Sequence, residues 1–89
     1  GQIYFVTFEA PRQIRGNHYH THGFEVFGVL HGVLEVALED VNTKERVDMI
    51  LDADDQLFTR LTLGTYVAHA FRNISPTAIL LDYCSHQYN

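Results

Sequence analysis

The chain has 89 residues, 46% hydrophobic and 19% charged, with only two prolines and six glycines. That is enough to bury roughly 60 to 65% of the unfolded surface in one core and too little for two, and the balance excludes disorder and low complexity. Eleven acidic against six basic residues leave a net charge of −5, which would repel a nucleic-acid backbone.

In chain order, period-two stretches rich in aromatic and β-branched residues run over Gln2 to Phe8, Phe24 to Leu30, Val33 to Glu39, Arg46 to Leu51, Gln56 to Leu63, Tyr66 to Ile74 and Thr77 to Ser85. Each reads as a strand. The turn signals between them are Ala10-Pro11, Arg15-Gly16-Asn17, His22-Gly23, His31-Gly32, Asp40 to Thr43, Asp52 to Asp55, Gly64-Thr65 and Ser75-Pro76. Seven or eight strands at this spacing, with no window of helical periodicity, predict an all-β sandwich or barrel forming a single domain over residues 1–89. Apolar runs such as Ala78 to Leu81 are too short for a transmembrane helix or a signal h-region, so no membrane partner is expected. Cys84 is the only cysteine, which fits a reducing, cytoplasmic setting. The chain opens on Gly1 rather than Met, as a trimmed domain would.

Histidine is in excess: His18, His20, His22, His31, His69 and His86. On a strand, His18 and His20 share a face about 7 Å apart. Glu25 follows at an odd offset, and the break at His22-Gly23 lets a new strand begin whose inward set is Glu25, Phe27 and Val29. His69 has the parity of Phe71 and Asn73. Three imidazoles and a carboxylate suit a divalent Zn, Mn, Fe, Co or Ni ion and do not suit Ca. A lone His-x-His pair is more often surface or core hydrogen bonding, but the longer order His18-x-His20, Glu25, Gly32 and later His69-x-x-x-Asn73 outweighs that reading. His22 and His31 sit in turns and read as solvent-exposed, Tyr19 points to the face opposite the paired histidines, Phe27, Phe71 and Tyr83 read as core aromatics, and Cys84 as a small buried hydrophobe.

Those two blocks resemble the two motifs of the cupin superfamily, which implies a small jelly-roll (double-stranded β-helix) barrel holding a divalent metal through His18, His20, Glu25 and His69. The second motif departs from the usual pattern, with Gly64 and Tyr66 where a Pro and a Gly are common. A narrower resemblance lies in Arg15-Gly16-Asn17-His18-Tyr19-His20 and in Leu80 to Tyr88. Both are similar to cupin domains of bacterial sugar-nucleotide enzymes: the C-terminal cupin of bifunctional capsular polysaccharide enzymes, the dTDP-4-keto-6-deoxyhexose 3,4-ketoisomerases and the dTDP-4-dehydrorhamnose 3,5-epimerases. Carried over by position, the epimerases' general base falls on His18 and their substrate-contacting arginine on Arg15. The aspartate that pairs with that base falls on His86 and the acid tyrosine near Thr62, so both are replaced. The ketoisomerases usually carry Gln where this chain has Glu25, which favours the metal-binding relatives.

The resemblance therefore implies an isomerase or epimerase acting on a nucleotide-linked 4-keto-6-deoxy sugar in polysaccharide biosynthesis. His18, Tyr66 and His86 are its candidate catalytic groups, Arg15 and Asn73 its candidate substrate contacts, and Zn, Mn, Fe or Ni its cofactor. By themselves the ligands equally permit a metal-dependent oxygenase, or a non-catalytic domain that binds sugar or holds a dimer together. Arg15 beside Gly16 also reads as a solvated loop cation. Aromatic strand ends such as Ile3-Tyr4-Phe5 favour a homodimer.

Overall fold

The computed structural model describes residues 1–55 and 60–85. Its strands are β1 (Gln2–Phe8), β2 (Ile14–His18), β3 (Glu25–His31), β4 (Val33–Asp40), β5 (Arg46–Asp52), β6 (Arg60–Leu63), β7 (Val67–Asn73) and β8 (Ala78–Cys84). They form two antiparallel four-stranded sheets in the orders β1-β8-β3-β6 and β2-β7-β4-β5. Consecutive strands repeatedly change sheet, the arrangement of a jelly roll. Among the described residues no helix is long and apolar enough to cross a membrane.

Alternation explains why these segments pair as they do. Burial along β3 and β7 marks Glu25, Phe27 and Val29, and His69, Phe71 and Asn73, as inward sets, so the predicted parities hold. Phe8, Val29, Leu34, Leu51, Ala78 and Leu80 pack one end of the interior, with Phe27, Val36 and Phe71 towards its middle. The other end is polar. Across the first sheet the inward rows there are Gln2, Cys84 and Glu25, then Tyr4, Asp82 and Phe27; the facing sheet contributes His18 and His69.

The strand list needs one correction. Arg15-Gly16-Asn17, read as a turn, lies within β2, because Gly16 takes φ +96° and the register shifts between Gly16 and His18. A bulge, not a chain reversal, uses the glycine. The predicted strand from Gln56 is described only from Arg60, its first residues lying outside the described ones. Tyr83, expected in the core, is 36% exposed on the outer face, one residue out of phase with buried Cys84.

Gly32, at the tight link between β3 and β4, has φ +82°, and a Cβ there would lie 2.3 Å from Thr77 O. Nearby, buried Asn73 donates from Nδ2 to Ala10 O and accepts from Ser75 N and Ser75 Oγ, while its backbone pairs with Arg12 and Gln13. This clamp closes the apolar end.

Candidate metal centre

Each of the four expected ligands reaches the polar end by a different route. His69 is inward on central strand β7 and 4% exposed. The β2 bulge sets His18 opposite it in register, with ring centroids 4.7 Å apart. His20 lies just beyond β2, its carbonyl accepting from Tyr66 N, and its ring is 5.4 Å from that of His18. Glu25, 1% exposed, comes from the opposite sheet at the start of β3. One ligand atom from each lies within 4.8 Å of all the others. Donors bound to one ion at about 2.1 Å sit about 3 to 4 Å apart, so the widest of these separations would have to close by about 1 to 2 Å.

Hydrogen bonding within the cluster argues for a cation. Glu25 Oε1 is buried with no hydrogen-bond partner among the described residues; His20 Nε2 is in direct contact with it, and His69 Nε2 stands 3.8 Å away. His69 Nδ1 faces Val67 O at 3.3 Å, a contact that assigns the proton to Nδ1 and leaves Nε2 as a lone pair. Burial lowers the pKa of His69 to about 4, helped by the neighbouring His18 and His20, and burial also lowers that of His20. Neutral imidazoles beside an unsatisfied carboxylate oxygen suit a cation, since a positive charge between them would satisfy both sides. The residues present fit a divalent ion.

The remaining carboxylate oxygen, Glu25 Oε2, accepts from Cys84 Sγ at 3.3 Å, so the thiol orients the carboxylate as well as filling space. Asp82, inward on β8, shares a hydrogen bond with Glu25; burial first, then that bond and the adjacent charge, raises its pKa to about 7. Opposite Asp82 in register stands Tyr4, whose pKa is raised by burial and by Cys84 and Asp82 and whose hydroxyl bonds to the Gln2 side chain. Sequence reasoning passed over both residues. The signal for Asp82 was an acid at an inward position of an otherwise apolar strand, and Tyr4 becomes informative only once β1 is known to pair with β8.

Between the β1 and β2 edges opens a cleft of about 470 Å³, lined by Tyr4, Phe5, Val6, His18 and Asp82. Arg15 pairs with inward Phe71 in register and extends to Thr7 O of β1 at 3.4 Å, beside this opening.

Two expected site residues are elsewhere. Asn73, expected to contact substrate, is fully buried in the clamp with its amide committed to Ala10 and Ser75, and lies four residues along β7 from His69, about 13 Å. Tyr66, expected to move protons, adopts φ 59° in the turn before β7, and its ring packs on that of Tyr19 at 6.2 Å, outside the cluster. His86 lies outside the described residues. His22 and His31 are exposed, as expected, and His31 Nε2 meets Thr77 Oγ1.

Two four-stranded antiparallel sheets of this order, with the polar residues gathered at one end, define a cupin-type jelly-roll barrel. The chain belongs to the polysaccharide biosynthesis C-terminal domain family, whose model matches residues 1–88. No curated protein matches the sequence. Among solved structures, the capsular polysaccharide assembling protein CapF of Staphylococcus aureus superposes with a TM-score of 0.88 at 19% identity, over 100% of this chain and 25% of that one. The dTDP-4-dehydrorhamnose 3,5-epimerase of Bacillus anthracis gives 0.87 at 20% identity, over 100% of this chain and 54% of the enzyme. WlaRA, the TDP-fucose-3,4-ketoisomerase of Campylobacter jejuni, gives 0.82 at 23%, over 100% and 62%. The chain thus spans from a quarter to under two thirds of the length of these neighbours.

Proposed function

We propose that this chain is the metal-holding barrel of a cytoplasmic isomerase or epimerase that acts on a nucleoside-diphosphate 4-keto-6-deoxy sugar in polysaccharide biosynthesis. The observation that carries the reading is Glu25 Oε1, buried without a donor and faced by imidazoles, beside a cleft that His18 lines. The cleft's volume falls within the few hundred to about 1,000 Å³ usual for small-molecule sites. Family membership supports the polysaccharide context.

His18, His20, Glu25 and His69 would hold Zn, Mn, Fe or Ni, an ion that supplies a Lewis acid able to polarise a ketone oxygen. A histidine that has donated its lone pair to a metal cannot also accept a proton, so His18 leaves proton transfer to other groups. Asp82, whose carboxyl burial and Glu25 push up to about 7 in the metal-free barrel, is the carboxylate at the cleft that takes or releases a proton, the work of a general base. Tyr4 keeps its phenol protonated and offers that proton from the neighbouring strand. Together they can remove the proton next to a ketone and return one to the sugar, with no net change in protons. Arg15 supplies a fixed positive charge beside the opening for a diphosphate. Phe27, packed against His69 at 5.1 Å between centroids, keeps water from the inner side.

The test is deuterium wash-in from heavy water into dTDP-4-keto-6-deoxyglucose and its UDP counterpart, read by NMR. The expected result is exchange at the carbon next to the ketone, lost on chelation and restored by metal. Absence of exchange with both sugars after loading with Zn, Mn, Fe and Ni in turn would overturn the reading. Elemental analysis checks the metal independently: well under one ion per chain after such loading removes the ligand assignment.

A further inference from the structure

Glu25 is divided between two environments. Its Oε1 lies beside the imidazoles of His20 and His69 and has no hydrogen-bond partner among the described residues, while Oε2 turns the other way, to the Cys84 thiol. Strand pairing brings this about: Glu25 of β3 and Cys84 of β8 are partners in register, and both are buried. On the far side of Cys84 stands Gln2 of β1, so the thiol occupies the middle of a row that runs from β3 towards the strand bordering the cleft. A second acceptor, Asp82 Oδ1, lies 3.8 Å from Sγ against 3.3 Å for Glu25 Oε2. A thiol has one proton to give, and the nearer oxygen takes it.

We infer that Cys84 is a positioning residue that keeps Glu25 a one-oxygen ligand and thereby keeps a coordination position on the ion open towards the cleft, an inference that rests on the metal-site reading above. A carboxylate can bind an ion through one oxygen or through both. In a buried site the choice depends on what else the second oxygen can bond, because an anionic oxygen left without donor or cation is costly in a low dielectric. With the thiol donating, Oε2 is satisfied where it stands and Oε1 alone is offered to the ion. Without the thiol, the positive charge within reach is the ion itself, and rotation about Cγ–Cδ brings Oε2 onto it. Asp82 also shares a hydrogen bond with Glu25, but a carboxylate that accepts the substrate's proton cannot serve at the same time as the fixed donor to Oε2. The thiol is the donor that stands outside proton transfer. On a six-coordinate ion, His18, His20, His69 and one Glu25 oxygen leave about two positions for water or substrate oxygens, and a chelating Glu25 leaves about one.

Water-proton relaxation in the Mn-loaded 89-residue chain counts the exchangeable waters on the ion and so reads this difference directly. Cys84→Val keeps most of the volume and removes the donor; it should lower the relaxation enhancement per bound ion to about half the wild-type value, in line with the loss of one of two waters. Cys84→Ser supplies a hydroxyl donor and should restore that value. Cys84→Ala repeats the loss of the donor should the valine variant fail to fold. Equal enhancement per ion in the wild type and the donorless variants, with only a fall in Tm, would show that the thiol merely fills space and would overturn the inference. A wild-type ion carrying no exchangeable water overturns it as well, since no position is then open, and so does a sulfur-to-cobalt charge-transfer band on loading the wild type with Co, which would make the thiol itself a ligand. Each of these three results leaves the metal reading standing, whereas a wild type that binds neither Mn, Zn nor Co overturns that reading and the role of Cys84 with it.

Discussion

Glu25 shows how much of the site a single side chain organises: one oxygen takes the Cys84 thiol and the other is left for the histidines. His69→Ala should therefore weaken metal binding by at least tenfold in a competitive chelator titration, whereas Asn73→Ala should leave metal affinity unchanged. The Asn73 change removes three buried hydrogen bonds and should cost about 2 to 4 kcal/mol, seen as a fall in Tm of about 10 °C or more. Titration in the metal-free protein separates two opposed effects. Burial holds His69 at about 4, below its unfolded value of about 6.5, so as pH falls through that window the unfolded chain is protonated first and stability is lost, by on the order of 3 kcal/mol. Asp82 has the opposite sign: its folded pKa of about 7 lies above the unfolded value of about 3.9, so its contribution is full below pH 4 and is lost as pH rises to 7. Asp82→Asn should therefore steepen the acid loss of stability between pH 6.5 and 4, and His69→Ala should flatten it, leaving the smaller share that His20 contributes, in urea melts with chelator present. The convergence of His18, His20, Glu25 and His69 at one end was legible because their spacing is a local property of strands. The positions of Tyr4 and Asp82 at the cleft were not, since they arise from a pairing between chain ends, and the burial of Asn73 was not, because a buried amide that closes a loop looks in sequence like one that meets a ligand.

At the scale of elements, β2 carries the site's most sensitive geometry. Its bulge turns what would be a regular ladder so that His18 pairs with His69, and Gly16 makes this possible through its positive φ and a backbone approach that leaves a Cβ only 2.9 Å from His69 O. Gly16→Ala should cost about 1 to 3 kcal/mol and also weaken metal binding, because the strain is released at the ligand strands. Gly32→Ala meets backbone at 2.3 Å and should destabilise at least as much while leaving the affinity of the folded protein unchanged. Thermal melts and metal titration on the same two variants check the contrast. The alternation that revealed the other strands failed at β2, where a glycine in a short polar segment signals a turn and a bulge alike. It also misplaced Tyr83, whose neighbour Cys84 holds the inward phase.

For the molecule as a whole, the proposed metal site would couple ion binding to stability. An ion bound only by the folded barrel at a hundred times its Kd adds about 2.7 kcal/mol, so saturating Zn should raise Tm by about 10 °C or more over chelated protein, and a shift of zero would show that the folded site does not prefer metal. Three of the four proposed ligands stand on or beside the β2-β7 side and the fourth on β3 of the other sheet. At the apolar end the sheets are pinned by packed side chains and by the Asn73 clamp, while at the polar end Glu25 and the histidines supply the cross-link. The barrel thus resembles a pair of tongs with its fulcrum at Asn73: an ion at the proposed site would close the tips, and without one amide exchange in β1 and β2 near the cleft should outpace exchange beside the fulcrum.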